Sequence, residues 1–296
     1  MNDSSTFPAP QQSANPDATQ PQTAVALDKT LIEQQSTAQA AYKIASRCET
    51  GAVRERNEDA CLIFTTEAGG HFPLTPLGLY VVADGMGGHM DGHLASSTAT
   101  RVAADHLLQH VMLPLLRNGA PPEDDALQAA MQAAVQAAHQ AVYESNPAGD
   151  GGTTLTAALV VGQRLFLAHV GDSRAYWLVN GRLEALTNDH SLVQRLQDVG
   201  QLTAEEAHRY QYRNVLLRAL GQEDELKVDT AVRNLPASGK LLVCSDGLWG
   251  FIGANTLERI MLQPTSPQNI INQLYEAAMA SGGYDNITGI VVEFSL

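Results

Sequence analysis

A chain of 296 residues, 44% hydrophobic but only 5% aromatic, has material for one large core filled mostly by aliphatic side chains. Its net charge of −14, from 32 acidic and 18 basic residues, argues against nucleic acid or an anionic membrane as the main partner. The three cysteines are scattered, with no C-x-x-C pair, so a disulfide framework and a cysteine-based zinc site are both excluded and a reducing cytoplasm is expected.

Residues 1–40 are rich in Gln, Ser, Thr, Pro and Ala and carry too little apolar surface to offset the entropy of ordering, so a mostly disordered extension is expected. A short helix around Ala24–Gln34 is the exception. The start MNDSSTFPAPQQ lacks the basic and apolar regions of a signal peptide, and no apolar run is long enough to span a bilayer. From Ala41 to Leu296 the pattern is that of one globular domain.

The first chemistry-bearing stretch is GAVRERNEDA, Gly51–Ala60, whose Arg54 and Glu58 can face the same way. An arginine fork suits a phosphate dianion, although a solvated loop with a local ion pair explains this stretch equally well by itself. LGLYVVAD, Leu77–Asp84, reads as a strand running into a glycine cluster, GMGGHMDGH. His89 and His93 have the four-residue spacing of helical zinc ligands, but no Glu follows His89 and Gly92 interrupts the turn, so zinc is disfavoured. Two helices follow, HLASSTATRVAADHLLQHVM and the alanine-rich DDALQAAMQAAVQAAHQAVYE.

TLTAALVV, RLFLAHV, RAYWLV and RLEAL then form a predicted antiparallel meander, its last turn marked by Asn180-Gly181, a pair suited to positive φ at both central positions. Ser191-x-x-Gln194 and Thr203-x-x-Glu206 read as capping boxes opening two short helices. KLLVCSD, the helix PQNIINQLYEAAMASGG and the strand NITGIVVEF complete the predicted set. Long helices between strand-rich blocks favour antiparallel sheets covered by helices over an alternating βαβ chain.

Asp84, Asp172, Asp246 and Asp285 each adjoin an apolar run. Any one of them alone is well explained as a turn residue. Four at strand ends can gather at the rim of a sheet, where cations must neutralise them, and an all-oxygen donor set favours Mg²⁺ or Mn²⁺.

In order, the blocks G-x-x-R-x-x-N-E-D, A-D-G-M-G-G-H, G-T-T, G-D-S-R, D-H-S, S-D-G-L and D-N-I-T resemble the metal-dependent Ser/Thr protein phosphatases of type 2C, in their compact bacterial branch. The resemblance runs from about Ala41 to the C-terminus. It implies an α+β fold, a four-layer α/β/β/α sandwich of two antiparallel sheets flanked by helices, with a flap at about 187–221. It implies a centre of two or three Mn²⁺ or Mg²⁺ ions: Asp84 bridging, the Gly85 carbonyl on one ion, Asp246 and Asp285 on the other. Glu58 and Asp59 would hold the centre directly or through water, and Asp172 would join Asp246 at a third ion. Arg54 would take the phosphate and, with Asp84 and Asp246, form the catalytic set; His190 and Arg195 would serve the substrate from the flap.

The implied activity is hydrolysis of phosphoserine and phosphothreonine in proteins by a metal-activated water, in a cytoplasmic monomer opposing a Ser/Thr kinase, with no nucleic acid partner and no membrane insertion. The alternative is a metallophosphohydrolase acting on small phosphate esters or nucleotides. Departures from the family pattern are Glu49, His93 and Tyr284, none at an implied ligand. Met86 stands where some members carry a histidine proposed as general acid, which leaves His89 or a metal-bound water for that role.

Overall fold

The computed structural model describes residues 41–66, 74–87, 92–146, 151–222 and 225–296. The expected N-terminal extension, its helix at Ala24–Gln34 and His89 lie outside them.

Two antiparallel sheets stand face to face. One orders β1 (Ala41–Glu49), β11 (Ile287–Ser295), β10 (Ser238–Cys244), β7 (Arg174–Val179) and β8 (Arg182–Ala185). The other orders β2 (Asp59–Thr66), β3 (Leu77–Gly87), β5 (Leu155–Val161), β6 (Arg164–Val170) and β9 (Asp229–Asn234), with β4 (Gly151–Thr153) paired to the end of β3. Central strands are buried on both faces, which is why LGLYVVA reads as an unbroken apolar run. Its side chains alternate: Tyr80 and Val82 meet Val243, Ile290 and Val292 between the sheets. Leu79 and Val81 face outward, against α1 (Gly92–Leu107) and α3 (Asp124–Ser145). The outer face of the first sheet is covered by α6 (Asp246–Ile252), α7 (Ala254–Met261) and α8 (Pro267–Ala280). The result is the expected four-layer α/β/β/α sandwich.

Several elements differ from expectation. β1, β2 and β9 were not among the predicted strands, because these outer strands mix polar with apolar residues and present no continuous run. β3 does not end at Asp84 but continues to Gly87, paired with the glycine-rich β4. The helix predicted after the glycine cluster passes through a π-helical turn at Leu108–Met112 and resumes as α2 (Leu113–Asn118). Asn180 and Gly181 do adopt φ of 52° and 75° between β7 and β8. Of the two capping boxes, Thr203 and Glu206 form a reciprocal one at α5 (Ala204–Arg209), whereas Ser191 at α4 (Leu192–Asp198) only accepts from the Gln194 N–H. Among the described residues no helix is long and apolar enough to cross a membrane, and all three cysteines are free.

Candidate metal centre and phosphate site

At one end of the sandwich both sheets deliver carboxylates to a single cleft of about 160 Å³, lined by Arg54, Glu58, Asp84, Gly85, Asp172, Asp246 and Asp285. The topology explains the convergence. Asp59 on β2 lies directly across from Asp84 on β3. Asp172 occupies the turn by which the chain leaves β6 for β7 in the opposite sheet. Asp246 opens α6 just after β10, and Asp285 precedes β11. Like charges on neighbouring strands are repulsive, so this grouping costs stability that some other function must justify.

Hydroxyls and amides lock the frame. Thr154 Oγ1 accepts from the Asp84 N–H at 2.9 Å, Thr153 Oγ1 donates to the Asp84 carbonyl at 2.9 Å, and the Thr154 N–H donates to that same carbonyl. That is the work of the G-T-T block. Ser245 Oγ donates to Asp59 Oδ2 at 2.8 Å and accepts from the Thr288 N–H. Asn286 is 4% exposed and closes the third side: its Nδ2 donates to the carbonyls of Thr50 and Arg56, and its Oδ1 accepts from the Glu58 N–H at 2.8 Å. Gly85 admits no side chain, since a Cβ there would fall 2.1 Å from the Gly92 carbonyl oxygen. Gly85 N–H in turn donates to the Glu58 carbonyl at 3.0 Å.

The donor set fits hard divalent cations. Asp59 Oδ1 and Asp246 Oδ1 are buried without a hydrogen-bond partner, and such oxygens call for a ligand. Burial, reinforced by Asp246, pushes Asp59 up to about 7; burial, reinforced by Asp285, pushes Asp246 up to about 6. Asp84 is driven well above the carboxylate range by burial and then by Asp59, Asp246, Asp172 and Asp285. Asp172 moves the same way, by burial and then Asp246. Among the described residues no three His, Cys, Asp or Glu form a ready-made coordination sphere. The aspartates ring one cleft, delivered to it from both sheets.

Arg54 Nη2 donates to Asp285 Oδ2 at 2.9 Å, with the arginine side chain 49% exposed. Only Nη2 is engaged, so a phosphate held by Arg54 would compete with Asp285 at that nitrogen alone. At a wet cleft mouth such a pair contributes little, so the exchange costs little.

One expected substrate contact, His190, is corrected, and the other, Arg195, stands apart from the cleft. His190 is buried beneath the flap: its Nδ1 accepts from the Gly171 N–H at 3.2 Å, and its Nε2 lies 3.1 Å from Asp229 Oδ2. It steadies the turn that carries Asp172. Arg195 is exposed on α4 and lines neither this cleft nor the larger one beside it. Sequence reasoning overlooked Asp189, whose carboxylate takes both arms of Arg174 at 2.7 Å, and Trp249, whose Nε1 donates to the Asp172 carbonyl. Asp189 lay within the D-H-S block, but its partner cannot be read from one sequence.

The raised carboxylates fix the sign of a stability measurement. In the unfolded chain they titrate near about 3.9. A folded pKa above that value gives stability that is complete below it and drains as pH rises through the folded value. The metal-free protein should therefore melt lower at pH 8 than at pH 6.5 in calorimetry. His169, held down to about 3 by burial, acts in the opposite sense but only below its ordinary value near 6.5. Cys48, lowered to about 6 chiefly by its hydrogen bond with Cys61, opposes the decline within the window, so the measurement is made on Cys48→Ser protein. Saturating Mn²⁺ should abolish the decline, and Asp59→Asn should shrink it; a slope unchanged by both would remove these groups as its source.

Comparison with known proteins agrees with this geometry. The family model described as protein phosphatase 2C matches residues 51–276. The serine/threonine phosphatase stp of Listeria monocytogenes is 35% identical over 250 residues, covering 84% of this chain and 95% of that protein. The serine/threonine protein phosphatase PstP of Mycobacterium tuberculosis is 36% identical over 254 residues, 85% of this chain but 45% of the longer relative. The solved catalytic domain of PstP in complex with two manganese ions superposes with a TM-score of 0.70 at 33% identity, over 87% of this chain and all of that one.

Proposed function

The chain belongs to the protein phosphatase 2C family and is a metal-dependent serine/threonine protein phosphatase; on that premise we propose how its own residues divide the work. The observation that carries the assignment is the ring of buried and half-buried carboxylates, two with unpartnered oxygens, centred on Asp84 with Arg54 at its mouth.

Asp84, the Gly85 carbonyl, Asp246 and Asp285 would hold two Mn²⁺ or Mg²⁺ ions, with Glu58 and Asp59 holding the centre directly or through water, and Asp172 would join Asp246 in holding a third. When bound, the ions supply an acidified water and neutralise the charge of the phosphate. Arg54 grips the phosphate oxygens, orienting the ester for in-line displacement. The frame of Thr153, Thr154, Ser245 and Asn286 prevents the carboxylates from drifting apart between turnovers. Among the described residues no histidine lines the cleft, and none of them is assigned as proton donor to the leaving alkoxide.

This reading extends to a catalytic domain over residues 41–296, to a monomer opposing a cognate Ser/Thr kinase, and to action in the cytoplasm. The free thiols support the last point. Purified protein should hydrolyse p-nitrophenyl phosphate and a phosphothreonine peptide with Mn²⁺ or Mg²⁺ and stop on addition of EDTA. Arg54→Ala should raise KM by about tenfold or more, the worth of a charge-assisted hydrogen bond pair, with a smaller loss in kcat. An unchanged KM would move phosphate recognition to another residue.

A further inference from the structure

Beside the carboxylate cleft lies a second and larger one of about 420 Å³, within the usual range for ligand pockets. The two adjoin, because Asp172, Asn214 and Asp246 line both. Its walls come from three directions: Tyr176 and Leu183 from the first sheet, Val193 from α4 of the flap, Phe251 and Leu257 from α6 and α7.

The floor is Arg174, whose guanidinium carbon stands 3.3 Å from the centre of the Trp249 ring. That cation does not select an acidic group, because Asp189 neutralises it through two hydrogen bonds of 2.7 Å. Glu258 is engaged with the Leu183 N–H at 3.4 Å. Arg213, its guanidinium carbon 6.0 Å from the centre of the Phe251 ring, and the amides of Gln194, Gln197 and Asn214 also line the space, but the larger share of the wall is apolar and aromatic. The surface beside it continues the theme: Tyr284, next to Asp285, is 58% exposed with its ring 5.8 Å from that of Phe251, which lines the cleft. Large apolar side chains left in water around a cleft mark a protein-binding surface.

The geometry points to this cleft as the acceptor for a bulky apolar side chain of the phosphoprotein substrate, close in sequence to the phosphoresidue. The inference rests on the phosphatase reading above and adds a specificity to it. A phosphate held by Arg54 fixes the backbone of its own residue at the shared wall. An extended chain advances about 3.3 Å per residue, so the side chain received here lies within roughly three positions of the phosphoresidue. Burying one leucine or phenylalanine in such a cleft favours it by about ten- to two-hundredfold over glycine.

The test uses phosphothreonine peptides of Gly-Ser background carrying one Leu or Phe at each of the three places before and after the phosphothreonine. The wild-type enzyme should show kcat/KM at least about tenfold higher for one or two placements than for the unsubstituted peptide. Gly250→Phe is the complementary variant. Gly250 lines the cleft on α6, and a Cβ added there meets nothing within 4 Å, so the ring can enter the space without displacing backbone. The Leu-to-Gly peptide ratio should then fall to about one.

Hydrolysis of p-nitrophenyl phosphate by each variant reports whether the catalytic centre survives. Should Gly250→Phe lose it, Ala254→Phe fills the cleft from its exposed edge and the same ratio is read there. Equal rates for all peptides with the wild type, or a preference that persists in a filled cleft, would overturn the inference and leave the phosphatase assignment intact. Failure of the wild type to hydrolyse p-nitrophenyl phosphate with Mn²⁺ would instead overturn the assignment, and the specificity with it.

Discussion

Asp84→Asn should lower Mn²⁺-stimulated phosphatase turnover by about 10³-fold or more and, at pH 8, raise the melting temperature of the metal-free protein. The two effects have one cause. Asp84 sits in the cleft among four other carboxylates whose fields, together with burial, oppose its ionisation. Its backbone is fixed on both sides by Thr153 and Thr154, so it cannot swing away to relieve the repulsion. A neutral amide of the same shape removes the charge and keeps the packing. If that relieves about 1 kcal/mol, the melting point rises by about 2–4 °C for a domain of this size. The same change takes a formal charge from the proposed metal centre, where no neighbour can replace it. Wild-type protein should gain melting temperature as Mn²⁺ is added, since a ligand bound only by the folded state stabilises it. The variant should gain far less. Undiminished turnover, or an undiminished Mn²⁺-induced shift, would move the centre away from Asp84.

How far these features were legible depends on what kind of contact makes them. The core strands and their turns were legible because the cause is local. A run such as LGLYVVA is buried on both faces, and Asn180-Gly181 carries its turn geometry in the positive φ that these two residue types tolerate. The four aspartates could be picked out for a related reason: each adjoins one of those strands, so burial of the strand fixes where the carboxylate goes. Outer strands such as DTAVRN pair on chemistry supplied by the neighbouring strand, and GGT gains its pairing only because β3 overruns Asp84.

The supports of the site were the least legible. Asn286 acts on Glu58 across 228 residues, and Ser245 acts on Asp59 across 186. Sequence position within the flap likewise did not say which way His190 faces; burial and the Gly171 N–H decide that it points into the protein. A residue type reveals what chemistry is possible, whereas the partner, often far along the chain, decides which possibility is used.

Asn286→Ala should cost about 3 kcal/mol, lower the melting temperature by roughly 6–10 °C and raise KM for phosphopeptides. One side chain here satisfies three backbone groups, the Thr50 and Arg56 carbonyls and the Glu58 N–H. Together these groups bracket the loop that carries Arg54 from β1 to β2. Truncation leaves all three polar and unpaired in a site only 4% exposed, and each unpaired group costs more than the hydrogen bond it loses. The loop cannot simply settle elsewhere, for its other end is equally confined. Gly51 adopts φ of +79°, and a Cβ there would fall 2.2 Å from the Asp285 carbonyl oxygen, while the Ala52 N–H donates to Gly283 at 2.8 Å. The Asn286 main chain is fixed as well, its carbonyl oxygen 2.0 Å from where a Cβ on Gly247 would stand. Loosening the loop should therefore act chiefly on Arg54, so KM should rise more than kcat falls. Asn286→Asp sharpens the test. It keeps the acceptor for the Glu58 N–H but turns an oxygen toward the two carbonyls, so it should rescue little of the stability that alanine loses. Melting within about a degree of wild type for either variant, with KM unchanged, would show that the Arg54 loop holds its shape without the amide.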